Sequence, residues 1–443
     1  MASAREAKGV LIIGGGVSGI QAALDLADMG FKVYLVEKTP SIGGRMAQLD
    51  KTFPTLDCSA CILTPKMVDV ARHPNIELLT YSEVREVSGK PGDFRVLILK
   101  KPRYVDEEKC TGCGVCAQYC PIEAPSDFDA GLGIRKAIYV PFPQAIPLVY
   151  VIDKEYCINC GLCEKMCEAG AINHKQQPAE ITVEVGSIIV STGFRPFDAK
   201  IKGEYGYGKY ENVITGLEFE RLVNAAGPTG GYLARLSDGR IPKTIGFIQC
   251  VGSRDEKANN LNCSRVCCMY AVKQAILAKE HIPRAEISIF YMDIRAYGKG
   301  FEEFYKRAEE EFKIKFIRGA VSEVTEDPET KNLMLRVEDM DTGELMEREF
   351  GMAVLSVGLM PSEGSEVVEK ILGVPRGEDG FFAAIQPEVF SVLTSMDGIF
   401  IAGVAEGPKD IPDSIAQASA AAMKASMILA ESRGVPSNGR SRT

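Results

Sequence analysis

Apolar stretches of strand length alternate with amphipathic stretches of helix length along most of this chain. The segment "GVLIIGGGVSGIQAALDLADMGFKVYLVEK" reads as an apolar strand, a glycine turn, an amphipathic helix and a second strand that ends at Glu37. Between about 241 and 360, the strands "KTIGFIQCV", "EISIFYM" and "IKFIRG" alternate with the helices "RVCCMYAVKQAILAKEH" and "GFEEFYKRAEEEF". Such alternation is typical of parallel sheets covered by helices. The pattern therefore predicts an α/β protein with two such units.

Composition narrows the classes of partner. The chain has 443 residues, 46% of them hydrophobic, and a net charge of −9. It can therefore bury ordinary cores, and it lacks the basic balance that nucleic-acid binding requires. No apolar run reaches the roughly 18 residues of a membrane-spanning helix, and "MASAREAKG" is too short for a signal peptide before Val10. We expect a cytoplasmic protein with no nucleic-acid partner and no membrane span.

The first glycine turn predicts a dinucleotide site. Gly14, Gly16 and Gly19 fit the pattern G-x-G-x-x-G, and Glu37 follows 18 residues after the last of them. In such a site the glycines allow a tight turn, close approach of a pyrophosphate and helix packing, and the acid accepts from a ribose hydroxyl. A coincidental turn is the alternative, but the complete strand-turn-helix-strand-acid context favours dinucleotide binding.

The segment after Glu37 indicates which dinucleotide binds. "EKTPSIGGR" resembles the glycine doublet that follows the first strand-helix-strand unit in FAD proteins of the glutathione and thioredoxin reductase type. The resemblance implies FAD rather than NAD. It also implies FAD contacts at Lys38, Gly43, Gly44 and Arg45.

Two later segments resemble the same flavoproteins. "VEVGSIIVSTGFRP", which contains Gly193, resembles the strand and Thr-Gly turn by which they return to the FAD domain. "MDGIFIAGVAEGPKDIPDSIAQASAAAMKASMI", which contains Gly403, resembles their closing strand and flavin-directed helix. Val404 stands where those proteins carry an aspartate. Asp410 and Asp413 are candidates for the missing ribityl contact, although we expect Asp413 to be a helix N-cap.

Fourteen cysteines in a chain expected to be cytoplasmic favour metal or redox chemistry over a disulfide framework. Eight form two C-x2-C-x2-C-x3-C motifs within 101–178, between the strands "FRVLILK" and "AEITVEV", so we expect an inserted domain. In two-cluster ferredoxins each such motif lends its last cysteine to the other cluster. The predicted ligands are Cys110, Cys113, Cys116 and Cys167 for one 4Fe-4S cluster, and Cys157, Cys160, Cys163 and Cys120 for the second. A pair of zinc ribbons is the alternative.

A third group of cysteines occupies the place of a second glycine turn. After the strand "KTIGFIQC" only Gly252 remains of a glycine pattern, so nicotinamide binding is not expected there. The segment instead carries C-x12-C-x3-C-C, formed by Cys250, Cys263, Cys267 and Cys268. Four soft ligands within nineteen residues predict a metal centre. Buried core thiols are the alternative.

The FAD motifs, the two-cluster insert and C-x12-C-x3-C-C together resemble the A subunit of heterodisulfide reductase, from Val10 to about Ala430. The resemblance implies a third 4Fe-4S cluster on the four cysteines just named. It also implies a complex in which FAD splits electron pairs from a hydrogenase, formate or NADH module between ferredoxin and a disulfide. Members carry cysteine or selenocysteine near Cys58 and Cys61, which leaves a cluster ligand, a redox thiol and a buried thiol open at these positions.

The same resemblance places a lysine near the flavin. Lys273 is the candidate because it follows Cys268 by five residues on one helix. A cation there would stabilise reduced anionic flavin and raise its potential, whereas a solvated helix lysine is the alternative. Glu220 in "LEFERL" is the candidate for proton movement at the flavin.

The corresponding methanogen proteins are longer, and we expect this chain to be a short form without their N-terminal domain and C-terminal ferredoxin. Electrons are then expected to enter or leave through a partner protein or a shorter chain of clusters, and a homodimer within a larger assembly is compatible with this. Whether such a form bifurcates electrons or only relays them stays open. An NAD(P)H-dependent reductase with a ferredoxin insert, as in glutamate synthase small subunits, and a scaffold stabilised by its clusters are the alternative functions.

The expected fold class is α/β: a thioredoxin or glutathione reductase-like flavoprotein of two dinucleotide-binding domains, with an inserted two-cluster ferredoxin domain. The expected function is that of an electron-transferring oxidoreductase subunit. The expected segments are 1–100, 179–240 and 361–435 for the FAD domain, 101–178 for the ferredoxin insert, 241–360 for the degenerate nicotinamide-type domain and 436–443 for a disordered tail.

Overall fold

The chain forms two seven-stranded sheets, and a small cysteine-rich unit is attached to the first. The computed structural model describes residues 8–389 and 391–432. The expected disordered tail, 436–443, lies outside the described residues, as does the end of the segment 361–435.

The regular elements are as follows. The strands are β1 (Gly9–Ile13), β2 (Val33–Glu37), β3 (Ile76–Thr80), β4 (Ser82–Lys90), β5 (Asp93–Lys100), β6 (Glu123–Ser126), β7 (Gly133–Lys136), β8 (Ile138–Tyr139), β9 (Val151–Ile152), β10 (Ala179–Val190), β11 (Phe194–Pro196), β12 (Val213–Thr215), β13 (Thr244–Val251), β14 (Glu286–Tyr291), β15 (Lys315–Glu326), β16 (Leu333–Asp339), β17 (Leu345–Phe350), β18 (Met352–Val357), β19 (Leu359–Pro361) and β20 (Ile399–Ile401). The helices are α1 (Val17–Asp28), α2 (Ser59–Arg72), α3 (Val115–Gln118), α4 (Leu162–Lys165), α5 (Gly216–Val223), α6 (Cys267–His281), α7 (Phe301–Glu310), α8 (Ser365–Leu372) and α9 (Ile411–Ser432).

The first sheet has the order β3-β2-β1-β10-β5-β4, and β20 also pairs with β10. The strands β1, β2, β3, β10 and β20 are parallel, whereas β4 and β5 are antiparallel additions. Along β1, Val10 and Ile12 pack with the apolar faces of α1, α2 and α9, and Leu11 and Ile13 belong to the core on the opposite face. Because both faces are covered, β1 is a continuous apolar run rather than an alternating one.

The cysteine-rich unit leaves the first sheet and returns to it at one point. The strands β5 and β10 are antiparallel, and Lys100 pairs with Ala179 at the end of their ladder. Between these residues lie α3, α4 and two small sheets, β6-β7 and β8-β9. The unit has its own core, which includes Val105, Ile138 and Ile152 together with the cysteine side chains. The sheet is therefore continuous past the insertion.

The second sheet has the order β12-β18-β13-β14-β15-β16-β17. The helices α5, α6 and α7 contribute to the core on one of its faces. Since β12 pairs in parallel with β18, the chain enters this sheet at Val213. The expected boundary at residue 240 is therefore wrong: a three-residue strand carries no periodicity that could reveal its partner, because sheet pairing is non-local.

One further strand pair connects the two units. The antiparallel pair β11 and β19 joins the segments that run between the two sheets. Among the described residues, no helix combines the length and the apolar character that crossing a membrane requires.

Candidate functional site

The three glycines after β1 each have a different reason to lack a side chain. Gly14 has φ +108°, and a Cβ there would lie 2.3 Å from the carbonyl oxygen of Ser191. A Cβ on Gly19 would lie 1.9 Å from the carbonyl oxygen of Gly14, so a larger residue would push α1 away. Beside Gly16 the nearest atom is the Cα of Gly44, at 4.0 Å. The turn is thus closely packed at two glycines and open at the one where a pyrophosphate would approach.

Glu37 ends β2 beside this turn and is 9% exposed. Its Oε2 accepts from the backbone N–H of Gly15 at 2.7 Å, and its Oε1 accepts from the N–H and the hydroxyl of Thr39, both at 2.8 Å. A carboxylate offers about four lone-pair sites. Capacity for a further donor, such as a ribose hydroxyl, therefore remains.

The glycine doublet packs directly on the turn. Gly43 has φ +123° and donates its N–H to the carbonyl of Gly15 at 2.8 Å, and a Cβ on Gly44 would lie 2.9 Å from the Cα of Gly16. Arg45 is next in the chain, and burial lowers the pKa of its guanidinium. The doublet therefore forms the wall of the turn.

Lys38 lies apart from this wall. Its side chain is exposed, and its Nζ donates to the carbonyl of Glu363 at 3.2 Å. The described contact of Lys38 is therefore with the segment that follows β19.

Two further glycines follow β10 and β20. Gly193 has φ +72°, and an added Cβ would meet nothing within 4 Å. Gly403 has φ +66°, and a Cβ there would lie 2.1 Å from Oγ of Ser18 on α1. The neighbouring Thr192 Oγ1 is buried without a hydrogen-bond partner among the described residues. The open turn, the acid with spare capacity and this hydroxyl together fit FAD.

The start of α9 corrects one expectation. Oδ1 of Asp410 accepts from the N–H of Asp413 at 2.9 Å, so Asp410 caps the helix that begins at Ile411. The expectation that Asp413 is the N-cap is wrong, because Asp413 lies inside the first turn, where it pairs with Arg265 at 3.2 Å. Sequence reasoning also missed the buried Lys409, whose Nζ donates to the carbonyl of Gly403 at 2.8 Å. The sequence around Lys409 does not indicate that its side chain is buried, because a lysine between a glycine turn and a helix is usually exposed.

The two cysteine motifs of the insert fold alike. The helices α3 and α4 follow left-handed glycines, Gly114 with φ 84° and Gly161 with φ 73°. One cysteine of each helix is buried, namely Cys116 and Cys163. The two motifs have the same cysteine spacing and also the same local structure: a left-handed glycine followed by a short helix with one buried cysteine.

The fourth cysteine of the first motif crosses to the second. Cys120 lines one cavity together with Cys157, Cys160 and Cys163, the four ligands predicted for the second cluster. In the other set, the Cys116 thiol interacts electrostatically with Cys110 and Cys113, and burial raises its pKa to about 12. Cys167 accepts from the N–H of Ala171 at 3.4 Å and packs, like Cys110, against the core of the insert.

His174 is a neighbour that sequence reasoning missed. Its Nε2 lies 3.7 Å from Sγ of Cys163, and its Nδ1 lies 3.2 Å from Nζ of Lys154. Burial and the Lys154 ammonium lower its pKa. One of three histidines in the chain, it stands seven residues after Cys167, in a context that carries no motif.

The third cysteine group gathers at the amino end of α6. Cys267 is buried, and its thiol lies within hydrogen-bonding reach of Cys250, Cys263 and Cys268, although its one S–H can donate to only one of them at a time. The hydrogen bond from Cys267, with a further one from the N–H of Arg265, lowers the pKa of Cys263 to about 5. Over residues 8–389 and 391–432, no three His, Cys, Asp or Glu side chains are arranged to hold a single metal ion.

Cys58 and Cys61 are joined by a disulfide at the start of α2. Both residues are exposed, so the buried-thiol alternative is wrong for them. Helix geometry explains the pairing, because a C-x2-C spacing at a helix start brings the first side chain over the first turn.

Lys273 and Glu220 form a buried ion pair within the second unit, at its contact with the first. Both are 1% exposed, and Nζ lies 2.5 Å from Oε1. Nζ also donates to the carbonyl of Lys51 at 2.9 Å, and Oε2 accepts from the N–H of Asp50 at 3.0 Å. The alternative of a solvated lysine is therefore wrong. The pair lies where α5 and α6 meet the first unit.

Family models match two parts of the chain. The model for FAD dependent oxidoreductases matches residues 9–55, which include the glycine turn and the doublet. The model for the 4Fe-4S binding domain matches residues 103–126 and 150–173, which contain the two motifs of the insert.

Named relatives match nearly the whole chain. The second iron-sulfur A subunit of the CoB--CoM heterodisulfide reductase of Methanopyrus kandleri is 61% identical over 420 residues, which are 95% of this chain and 64% of that protein. The A subunit of the H(2):CoB-CoM heterodisulfide,ferredoxin reductase of Methanothermobacter marburgensis is 59% identical over 417 residues, which are 94% of this chain and 63% of that protein. This chain thus spans less than two thirds of the length of these relatives.

Thioredoxin reductase of Lactococcus lactis shares the fold. Its structure gives a TM-score of 0.54 at 18% identity and covers 96% of this chain and 99% of its own. With the 4Fe-4S matches in the insert, this likeness confirms the predicted fold class.

Proposed function

We propose that this chain is a heterodisulfide reductase A subunit: an electron-transferring iron-sulfur flavoprotein, and an oxidoreductase component of a heterodisulfide reductase-like complex. Its proposed partners are other subunits of that complex and either ferredoxin or a hydrogenase, formate or NADH module. The names of the relatives support this choice, since they include ferredoxin and H(2). We place the complex in the cytoplasm, and a homodimer within it stays a prediction.

One observation carries this proposal: the insert that contains the two cysteine motifs contacts the segment next to the glycine turn proposed to bind FAD. Ile42 donates its N–H to the carbonyl of Ile146 at 3.0 Å, and the N–H of Ile146 donates to Oγ of Ser41 at 2.8 Å. Ser41 and Ile42 immediately precede the glycine doublet Gly43–Gly44. FAD exchanges two electrons and 4Fe-4S clusters exchange one, so their proximity suits conversion between the two modes.

In this proposal the cofactor-binding residues keep their predicted roles. FAD is held by the glycine turn with Glu37 and by the turns at Gly193 and Gly403. The eight cysteines of the insert hold two clusters, with Cys120 and Cys167 exchanged between the motifs. The third cluster, on Cys250, Cys263, Cys267 and Cys268, is supported by the meeting of these thiols at α6.

The roles of Lys273 and Glu220 at the flavin stay predictions. Their mutual ion pair supports a positioning role, because each charge is already compensated by the other and by backbone groups of residues 50 and 51. The ion pair of Lys273 and Glu220 is compatible both with a flavin that bifurcates electrons and with one that only relays them.

An NAD(P)H-dependent reductase is the less supported function. At Gly252, the last glycine of the second turn, a Cβ would lie 2.2 Å from the ring of Phe197. This glycine therefore makes room for an aromatic side chain rather than for a phosphate.

Cofactor content tests the proposal. Protein purified without oxygen should hold one FAD and about 12 iron atoms, at four per cluster. About 8 iron atoms with FAD intact would contradict the third cluster, and a chain that binds no FAD would contradict the function itself. Changing both Cys267 and Cys268 to Ala should remove about four iron atoms and one EPR signal. Rapid bleaching of the flavin by NADH alone would favour the NAD(P)H-dependent reductase.

A further inference from the structure

His174 lies against the ligand set predicted for the second cluster, and the proposed function gives it no role. Together with Cys120, Cys157, Cys160 and Cys163 it lines one cavity of the insert. Its Nε2 lies 3.7 Å from Sγ of Cys163, the buried cysteine of α4. Four thiols that meet in one cavity fit a 4Fe-4S cluster, so the imidazole of His174 is placed against one of its ligand sulfurs.

Lys154 fixes which ring nitrogen of His174 carries the proton. Nζ of Lys154 lies 3.2 Å from Nδ1 of His174, and it also donates to Oδ1 of Asn159 at 2.7 Å. Because an ammonium group can only donate, Nδ1 accepts. A neutral imidazole whose Nδ1 accepts carries its proton on Nε2. The N–H of Nε2 is therefore the group that faces the sulfur of Cys163.

Tyr104 holds both members of this arrangement in place. The N–H of Asn173 donates to the carbonyl of Tyr104 at 2.9 Å, and the N–H of Tyr104 donates to Oε1 of Gln176 at 2.5 Å. Nζ of Lys154 lies 4.5 Å from the centroid of the Tyr104 ring, within the range of a cation–π contact. The backbone on both sides of His174 and the ammonium that orients its ring are thus anchored to one residue.

The first ligand set has no comparable donor. Over the described ranges, no side chain donates a hydrogen bond to the sulfurs of the first set, which is Cys110, Cys113, Cys116 and Cys167. Cys167 accepts from the backbone N–H of Ala171 at 3.4 Å. Tyr150 interacts electrostatically with Cys116, but its hydroxyl makes no hydrogen bond to that sulfur. The two sets therefore differ in one side-chain donor, although their motifs share spacing and local structure.

We propose that His174, oriented by Lys154, donates an N–H···S hydrogen bond to Cys163 and raises the reduction potential of the second cluster above that of the first. Reduction adds negative charge to a cluster, and a donor on a ligand sulfur stabilises that charge. This role rests on the proposed function, since it requires the second cluster. An electron shared by the two clusters then resides mainly on the second.

Redox titration followed by EPR on the anaerobic, fully loaded protein measures this effect. The signal of the second cluster is the one lost in Cys160→Ala. His174→Leu removes the donor, so the reduced-to-oxidised ratio of the second cluster at a fixed potential should fall about tenfold, a shift of about −59 mV for a one-electron couple. His174→Gln keeps an N–H donor and should recover part of this shift.

His281→Gln is the matched control for these variants. His281 is exposed at the end of α6, outside the insert, so its replacement should change the potential of neither cluster. Unchanged potentials of both clusters in His174→Leu overturn the proposal.

A double change tests the orienting role of Lys154. Lys154→Met alone should lower the potential of the second cluster, because Nδ1 of His174 loses its donor. In the His174→Leu background the same change should have less than half of this effect, since no imidazole remains to be oriented. Equal shifts in both backgrounds show a positive charge that acts directly on the cluster, and they overturn the orienting role.

Pulsed EPR of the reduced protein, labelled with ¹⁵N-histidine, reads the hydrogen bond without any substitution. The second cluster should show a weak ¹⁵N coupling that is absent from the first. No such coupling, or the strong coupling of an iron-bound nitrogen, overturns the proposal. Iron content separates these outcomes from a failure of the proposed function, because a protein without the second cluster holds about four fewer iron atoms and lacks its EPR signal altogether.

Discussion

Gly16 and Gly19 stand three positions apart in one turn, yet an added methyl group would meet open space at the first and a carbonyl oxygen at the second. The same motif therefore contains one position constrained by packing and another that is free in the folded chain. This difference separates the effect of a substitution on folding from its effect on FAD.

Gly19→Ala should destabilise the protein and abolish FAD binding. Its Cβ would lie 1.9 Å from the carbonyl oxygen of Gly14, and overpacking of this kind costs about 1–3 kcal/mol or more. Gly16→Ala should fold with a nearly normal melting temperature but bind FAD at least about tenfold more weakly, because the methyl group would occupy the approach of the pyrophosphate. Thermal unfolding of the apoprotein and FAD titration measure the two effects. Normal FAD affinity in Gly16→Ala would contradict the assigned site.

At the scale of elements, the packing of α5 and α6 against the first unit depends on a buried ion pair. Removing one partner of such a pair leaves an uncompensated buried charge, whereas removing both is often nearly neutral. Lys273 and Glu220 are both 1% exposed, so this asymmetry should be large here.

Lys273→Met should lower the free energy of unfolding by about 3–5 kcal/mol. The double change Lys273→Met with Glu220→Gln should recover part of this loss, because the amide still accepts from the N–H of Asp50. Lys51→Met is a matched control: Lys51 pairs with Glu280 at 2.8 Å, but their side chains are 32% and 37% exposed, so the loss should stay below about 1 kcal/mol. Denaturant unfolding measures all three.

The flavin midpoint potential separates the two interpretations of Lys273. A positioning residue should change this potential little in the double variant, since that variant removes both charges together. A large negative shift in the double variant would instead support the predicted cation at the flavin, because losing a nearby positive charge disfavours reduced anionic flavin.

At the scale of the whole molecule, the insert is an addition to an otherwise continuous sheet. Lys100 and Ala179 are paired residues of one antiparallel ladder, so a two-residue hairpin can join them. The cysteine-rich core of the insert is separate from the sheet, but Phe142 and Ala145 of the insert also pack into the core between the first sheet and its helices, so removing the insert should lower stability without abolishing the fold.

Replacing residues 101–178 by Asn-Gly should leave a folded flavoprotein with about 8 fewer iron atoms. FAD should bind more weakly than in the full chain, because the contacts of Ile146 with Ser41 and Ile42 are lost. Iron analysis, EPR and FAD titration check this. If a third cluster is present as proposed, its EPR signal should remain after the deletion; its loss together with the other two signals would contradict the assignment to the α6 cysteines.

Sequence alone was sufficient where the chemistry or the sterics are local. The glycine turn, the doublet and both cysteine motifs lie within short segments, and their spacing reflects requirements that a few consecutive residues must meet. The structure also brings Cys120 beside three cysteines of the second motif, which agrees with the exchange of fourth cysteines expected from two-cluster ferredoxins; the ligand assignment itself stays a prediction.

Only the tertiary structure decided which distant segments meet. It placed Val213–Thr215 in the second sheet, paired Lys273 with Glu220 and brought Ile146 into contact with Ser41, just before the glycine doublet. The physical reason is that these arrangements depend on strand pairing and burial between residues far apart in the chain. Such contacts leave no periodicity or spacing in the sequence from which they could be inferred.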